Sequence, residues 1–440
     1  MGKKPVSVIG LGKLGSPMVA CFAAKGHKVI GVDVSPRNVE LINQGKAPVV
    51  ETQLDELLHA HRDRISATQD YREAVLGSEI TFIIVPTPSD EQGGFSTEYA
   101  RAAAASIGEA LRQKSDWHLV ALTSTVLPGS TERDILPTLE SHSGKKCGVD
   151  FGLCYNPEFI ALGSVIHNML NPDFVLVGES EVRSGAVLEE FYKGILDNDA
   201  PVVRMNIVNA ELTKISVNTF VTAKISYANM LAEVCERIPG CDVDVVTSAI
   251  GLDTRIGRKY LKGALGYGGP CFPRDNVAFA HMARSVGAEP TLAEAADAVN
   301  WRQVSRLVDL VSSHLPEGGR VGILGLSYKP DTDVVEESQG VELARSLLST
   351  GVPVVLYDPL AMDNARQVLG DGPTFVSSPQ ECVQQADVIV ITIPWAEFKE
   401  IEPADLARNP GRPVVLDCWR ILDGEQFAEV ADYVTLGLGL

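Results

Sequence analysis

Positive charge is scarce in this chain: 38 Lys and Arg stand against 57 Asp and Glu, a formal charge of -19 over 440 residues. Such a field repels polyanions, so neither nucleic acid nor an anionic membrane is an expected partner, and an anionic ligand must be met by cations gathered locally. Long apolar runs are also missing, and Lys3-Lys4 passes straight into the apolar stretch Val6–Ile9 without a signal-peptide core, so a cytoplasmic protein is expected. The eight cysteines contain no C-x-x-C pair and the eight histidines are dispersed. Neither a disulfide framework nor a metal site is therefore expected, and the thiols should be reduced.

What is present is enough apolar residue, 45%, for two or three domains with their own cores. Val6-Ser-Val-Ile-Gly10-Leu-Gly12-Lys13-Leu14-Gly15 is a short β run ending in G-x-G-x-x-G, a helical pattern follows, and Lys28–Asp33 forms a second β run closing on an acid. In that setting the glycines permit a tight turn and close approach of a pyrophosphate to a helix N-terminus, while Asp33 meets ribose hydroxyls. Asp33 would repel a 2′-phosphate, which favours NAD over NADP, with Arg37 a nearby cation. Two further apolar runs, Ile80–Pro88 and His118–Pro128, are separated by the helical segment Thr97–Lys114. The alternation predicts a parallel, doubly wound α/β sheet.

The last third repeats this order: Arg320–Pro330, a helical segment, Val352–Asp358 ending in an acid, then apolar runs from Ala386 and Pro413. Its first loop, Gly325-Leu-Ser-Tyr-Lys329, is not G-x-G-x-x-G, which predicts a nucleotide-binding sheet holding a ligand other than NAD. Between the two copies, Ile207 to about Ile238 reads as one long helix without internal Pro or Gly, with Glu211, Lys214 and Asn218 on one face. The expected fold is thus two Rossmann-like doubly wound parallel-sheet domains joined by a long central helix: residues 1–200, 201–300 and 301–440.

Gly263-Ala-Leu-Gly-Tyr267-Gly268-Gly-Pro-Cys271-Phe272-Pro-Arg274-Asp275 places a cysteine just ahead of a helical pattern, with Pro273 fitting its first position. Beside Arg274 and a helix N-terminus a thiolate is favoured, so Cys271 reads as a nucleophile or, as is common for cysteine, a buried structural residue. Arg255 and Lys262 lie close by in sequence, in position to meet a diphosphate.

This glycine–cysteine stretch resembles the signature of the UDP-glucose/GDP-mannose dehydrogenase family. V-P-T-P at Thr87, S-T-V-x-P-G at Thr125, N-P-E-F at Glu158, the central helix and G-L-x-Y-K-P-D-T-D at Tyr328 resemble it in the same order. The resemblance implies two NAD molecules in succession oxidising C6 of a UDP-hexose, glucose first, to the acid. GDP-mannose, an N-acetylhexosamine and a two-electron hydroxyacid reaction are the alternatives. It implies Thr87 and Thr125 at the nicotinamide, and Arg274 among the cofactor contacts. Cys271 would carry a thiohemiacetal and then a thioester. Lys214 and Asn218 would stabilise oxyanions, Asp275 with Thr125 would hold a water, and Glu158 would activate water for hydrolysis. Phe159, Ile160, Arg255 (from the partner subunit), Lys262, Tyr267, Gly268, Phe272, Tyr328, Lys329 and Arg420 would bind the nucleotide sugar, and the central helix would build a homodimer. The chain departs from the family pattern at Leu162 and Glu336, where a glutamate and an arginine are common, and at Pro270.

Overall fold

The computed structural model describes residues 3–406 and 411–439. The chain divides into two compact units, Met1–Val217 and Asn218–Leu440, and the helix Ile207–Cys235 runs from one into the other.

The first unit is built on eight strands: β1 Val6–Ile9, β2 Val29–Val32, β3 Ile65–Thr68, β4 Ile80–Ile83, β5 His118–Leu122, β6 Phe151–Tyr155, β7 Val175–Glu179 and β8 Val202–Asn206. They lie in the order β3-β2-β1-β4-β5-β6-β7-β8. The strands near the centre are wholly buried because helices cover both faces, which is why their sequences read as continuous apolar runs. The sheet is doubly wound and parallel over β1 to β6 as expected, and beyond them β7 runs antiparallel to β6.

The second unit carries β9 Val321–Leu324, β10 Val354–Tyr357, β11 Thr374–Phe375, β12 Val388–Ile391, β13 Val414–Asp417 and β14 Asp432–Thr435, all parallel. Their order, β11-β10-β9-β12-β13-β14, matches that of the first six strands. Each sheet therefore reverses direction beside its first strand, leaving a crevice at the carboxyl edge where ligands of such sheets bind.

The two copies differ at that crevice. In the first, a Cβ on Gly10 would sit 2.2 Å from the Ile84 carbonyl oxygen and one on Gly15 would sit 1.8 Å from the Gly10 carbonyl oxygen, whereas Gly12 faces open space. In the second, Gly325 keeps the left-handed turn at φ 110°, but the glycine packed on its carbonyl is Gly340, where a Cβ would lie 2.1 Å away. A loop carrying Tyr328 and Lys329 fills the sequence between. Gly340→Ala should destabilise the second unit by about 1–3 kcal/mol through overpacking against a backbone that cannot retreat. Urea unfolding followed by tryptophan fluorescence measures it, since Trp395 and Trp419 lie in that unit; an unchanged midpoint would refute the assignment.

Candidate active site

The glycine loop of the first unit has what a dinucleotide needs. Asp33 follows β2, and its Oδ2 accepts the Leu11 amide at 2.7 Å while Oδ1 accepts that of Ser35 at 2.8 Å, holding the loop beneath a half-exposed carboxylate. The helix Gly15–Ala24 starts at Leu14 with no side-chain cap and no acid in its first turn. Its amide dipoles are left to a phosphate. Gly12 and Lys13 are exposed. Arg37 is exposed as well, beside a shallow depression lined by Leu41, Lys46, Asp55 and His59.

The second copy has closed these features. Asp358 Oδ2 accepts the Leu326 and Ser327 amides at 2.7 and 3.0 Å and the Trp395 indole N–H at 3.2 Å, and the residue is buried. Ser338 caps the helix Gln339–Ser349. The acid and the helix end that NAD would use are consumed by the protein, so a lost glycine is only part of the change.

Two loops at the carboxyl edge of the first sheet are tied together. The Thr87 hydroxyl donates to the Thr125 carbonyl at 2.8 Å, and the Ser124 hydroxyl bonds both the amide and the carbonyl of Val85. Glu211, fully buried, accepts the Gly129 amide at 2.5 Å and the Thr131 amide at 2.8 Å. Burial raises its pKa, and those amides partly offset the rise. Glu211 thus fixes the loop that presents Thr125.

One helical turn further on, Lys214 is not the exposed charge its position alone suggests. It is 7% exposed, its Nζ donates to the Glu158 carbonyl oxygen at 2.8 Å, and it lies 4.8 Å from the centre of the Phe159 ring. The Glu158 carboxylate receives the Tyr192 hydroxyl at 3.1 Å, and that hydroxyl also bonds Asn156 at 2.6 Å. Burial pushes the Glu158 pKa up to about 7, against the pull of Tyr192 and Lys214. Ile160 and Leu162 pack partly buried on the core. The loop beyond Glu158 is held by a residue that local spacing does not reveal: Glu51 accepts the amides of Gly163 and Val165 at 2.8 and 2.9 Å.

In the second unit, Cys271 is exposed and stands at the N-cap of the helix Phe272–Ser285, with Pro273 one place later than expected, at the second helical position. Exposure removes the structural-cysteine reading. Asp275, in the first turn, is buried; its Oδ2 accepts the Asn218 amide at 2.6 Å and its Oδ1 lies 3.4 Å from Arg274. Arg274 therefore touches Asp275. Asp275 thus lies on the helix that Cys271 caps, and Asn218 reaches it from the central helix.

The glycines ahead of Cys271 follow a crowded path. A Cβ on Gly268 would meet the Glu337 carbonyl oxygen at 2.2 Å, and one on Gly269 would meet the Tyr328 ring at 2.5 Å. Buried amides hold the path: Asn229 bonds the Ala264 amide and the Leu265 carbonyl, and Asn300 bonds both the amide and carbonyl of Tyr267. Tyr267 is buried, its hydroxyl donates to Asp297 at 2.5 Å, and its ring meets Phe272 edge-on. It acts as a strut.

The expected phosphate-binding cations are gathered only in part. Lys262 pairs with Asp244 at 2.6 Å, and Arg420 pairs with Asp242 at 2.6 Å while lying 3.4 Å from Asp244. These two form one cluster. Arg255, largely exposed, pairs with Asp253 and stands apart from that cluster's ion pairs. Lys329 Nζ lies 3.5 Å from the Pro330 carbonyl oxygen. Among the described residues no group of His, Cys, Asp and Glu suits a metal ion.

Three family models match in order: the NAD-binding domain of the UDP-glucose/GDP-mannose dehydrogenase family over residues 4–196, its central domain over 208–302 and its UDP-binding domain over 322–424. The chain belongs to that family. It is thus an NAD-dependent nucleotide-sugar dehydrogenase in class. The chain is 38% identical to UDP-glucose 6-dehydrogenase AglM of Haloferax volcanii, over 90% of this chain and 93% of that protein. It is also 38% identical to GDP-mannose 6-dehydrogenase of Pseudomonas aeruginosa, over 80% of each. A solved UDP-glucose dehydrogenase from Pyrobaculum islandicum superposes with a TM-score of 0.89 at 36% identity, covering 100% of this chain and 98% of that one. Among the described residues no helix is long and apolar enough to cross a membrane.

Glu158 gives this site a measurable pH signature. Its carboxyl titrates near 4.5 when unfolded and about 7 when folded, so between those values only the unfolded chain ionises it, and stability falls as pH rises through that window. Glu158→Gln should therefore be more stable than the parent by about 1–3 kcal/mol at about pH 8, with the gain vanishing at about pH 5. Urea titrations at both pH values test this. A constant offset would refute it.

Proposed function

We propose that this protein oxidises C6 of a nucleotide-linked hexose, UDP-glucose first, through the aldehyde to the uronic acid. The supporting observation is Cys271, exposed at a helix N-cap above a buried Asp275–Asn218 pair. Residues 1–200 would hold NAD, 201–300 the central segment and 301–440 the UDP-sugar. NAD supplies the hydride acceptor for each of the two oxidations.

The cysteine accounts for the second oxidation. Its thiolate adds to the aldehyde carbon, giving a thiohemiacetal whose oxidation leaves a thioester on Sγ. Lys214 and Asn218, one turn apart on one helix, would donate to the oxyanions. Asp275, with Thr125, would hold a water for proton transfer. A carboxyl with a pKa near 7 suits Glu158 to activate the water that cleaves the thioester. Thr87, with the glycine loop, would frame the cofactor. Phe159, Ile160, Phe272, Gly268, Tyr328, Lys329, Arg420, Lys262 and a partner's Arg255 would hold the nucleotide sugar. Tyr267, its hydroxyl held by Asp297, would join them.

The equal identity to a GDP-mannose enzyme supports a second reading, GDP-mannose as substrate, on the same chemistry. Incubation with NAD and a panel of UDP-, GDP- and dTDP-hexoses, N-acetylated sugars included, separates the two. The expected result is two NADH per UDP-glucose consumed, falling to one at most in Cys271→Ser. A single NADH in the parent protein, or full turnover by the variant, would remove the thioester route.

A homodimer on the central helix is part of the proposal. That helix exposes Phe220 (65%), Tyr227 (49%) and Val234 (46%), an apolar stripe an isolated surface helix rarely shows. Phe220→Glu with Tyr227→Glu should convert a dimer to a monomer in sedimentation analysis. A parent protein that sediments as a monomer would refute the arrangement.

A further inference from the structure

The central helix ends at Cys235, the chain turns through Glu236–Gly240, and Cys241 returns so that its sulfur lies 3.2 Å from that of Cys235. No motif marks the pair: five residues separate the cysteines, and neither belongs to the proposed reaction. Four other cysteines, Cys21, Cys154, Cys382 and Cys418, are buried, and burial raises each of their pKa values. Cys235 and Cys241 differ because one is buried, the other is half-exposed, and their sulfurs touch.

The local backbone holds them there. Within the turn, Cys241 donates its amide to Ile238 and Ile238 donates to Cys235, while Gly240 takes a left-handed φ of 77°. The strap near the C-terminus braces the outside: the Gly240 amide bonds the Gly439 carbonyl at 3.0 Å and the Gly439 amide bonds the Cys241 carbonyl at 2.8 Å. The next residue, Asp242, bridges Leu438 and pairs with Arg420. The sulfurs need to close by only about 1 Å to reach disulfide bonding distance.

We propose that Cys235 and Cys241 form a reversible dithiol–disulfide couple, a redox modification site at the foot of the Asp242–Arg420 ion pair. The oxidant is a low-molecular-weight disulfide of the glutathione class. The Cys241 thiolate, on the accessible side, attacks one sulfur of that disulfide, forming a mixed disulfide and releasing one thiol. The Cys235 sulfur then attacks Cys241 Sγ, loses its proton to solvent and releases the second thiol. Two protein thiols are oxidised to one S–S bond, and one small disulfide is reduced to two thiols. Burial raises the Cys235 pKa above its ordinary value, Cys241 and Asp242 add to the rise, and Arg420 pulls the other way. This couple does not depend on the reaction assigned to Cys271.

Arg237 stands between the two cysteines, so trypsin separates them onto different peptides that only a disulfide can hold together. The full chain would be equilibrated with glutathione at rising ratios of oxidised to reduced form, quenched in acid, alkylated and digested. The expected result is one reducible cross-link between the two peptides and protection of both thiols from alkylation, in the parent and in Cys271→Ser alike. Cys235→Ser should stop at glutathione on Cys241, and Cys241→Ser should give no cross-link. Full alkylation of both cysteines in the parent across the series, or a cross-link formed only in denaturant, would overturn the proposal.

Discussion

Both sheets depend on one constraint: the irregular loops at their carboxyl edges expose backbone amides that no strand or helix can pair, and polar side chains must take them. Asp33 and Asp358 do this for the two equivalent first loops, Glu211 for the loop presenting Thr125, and Glu51 for the loop after Glu158. Asn229 and Asn300 do it for the glycine path to Cys271, and Asp417 for the turn that puts Arg420 at a left-handed φ of 55°. Each clamp fixes a backbone, and the backbone fixes the side chains it carries.

The same constraint separates the two sheets by function. A carboxylate with spare lone pairs beside an uncapped helix end is open to a ligand; a carboxylate whose oxygens are filled, beside a helix capped by serine, is engaged by the protein itself. Asp33 and the Leu14 helix start are of the first kind, and Asp358 with Ser338 of the second. The second copy keeps the strand order, while its acid and its helix cap are engaged by its own backbone. Its ligand contacts would instead come from the inserted loop between Gly325 and Gly340.

Charge is handled in a similar way. In a chain with an excess of acids, Lys262 and Arg420 are each held by an aspartate, and Asp244 joins them into one cluster. The pairing keeps both cations oriented, Lys262 at the surface and Arg420 largely covered. Lys214 is held differently: its contacts are the Glu158 carbonyl and the Phe159 ring rather than an aspartate.

The sequence determined whatever depends on local spacing: the strand and helix alternation, the dinucleotide fingerprint closing on Asp33, the long helix with Lys214 and Asn218 one turn apart, and Cys271 at a helix start. Periodicity and turn chemistry are short-range, so a few neighbouring residues suffice to reveal them. Only the tertiary structure decided the exposure of Cys271, the burial of Lys214, the antiparallel turn of β7, the role of Gly340 as the packing glycine and the anchoring carried out by Glu51, Asn229 and Asn300. Each of these joins residues far apart in the chain or sets a side chain's surroundings, and such pairings are selected by packing, which leaves no regular interval in the sequence.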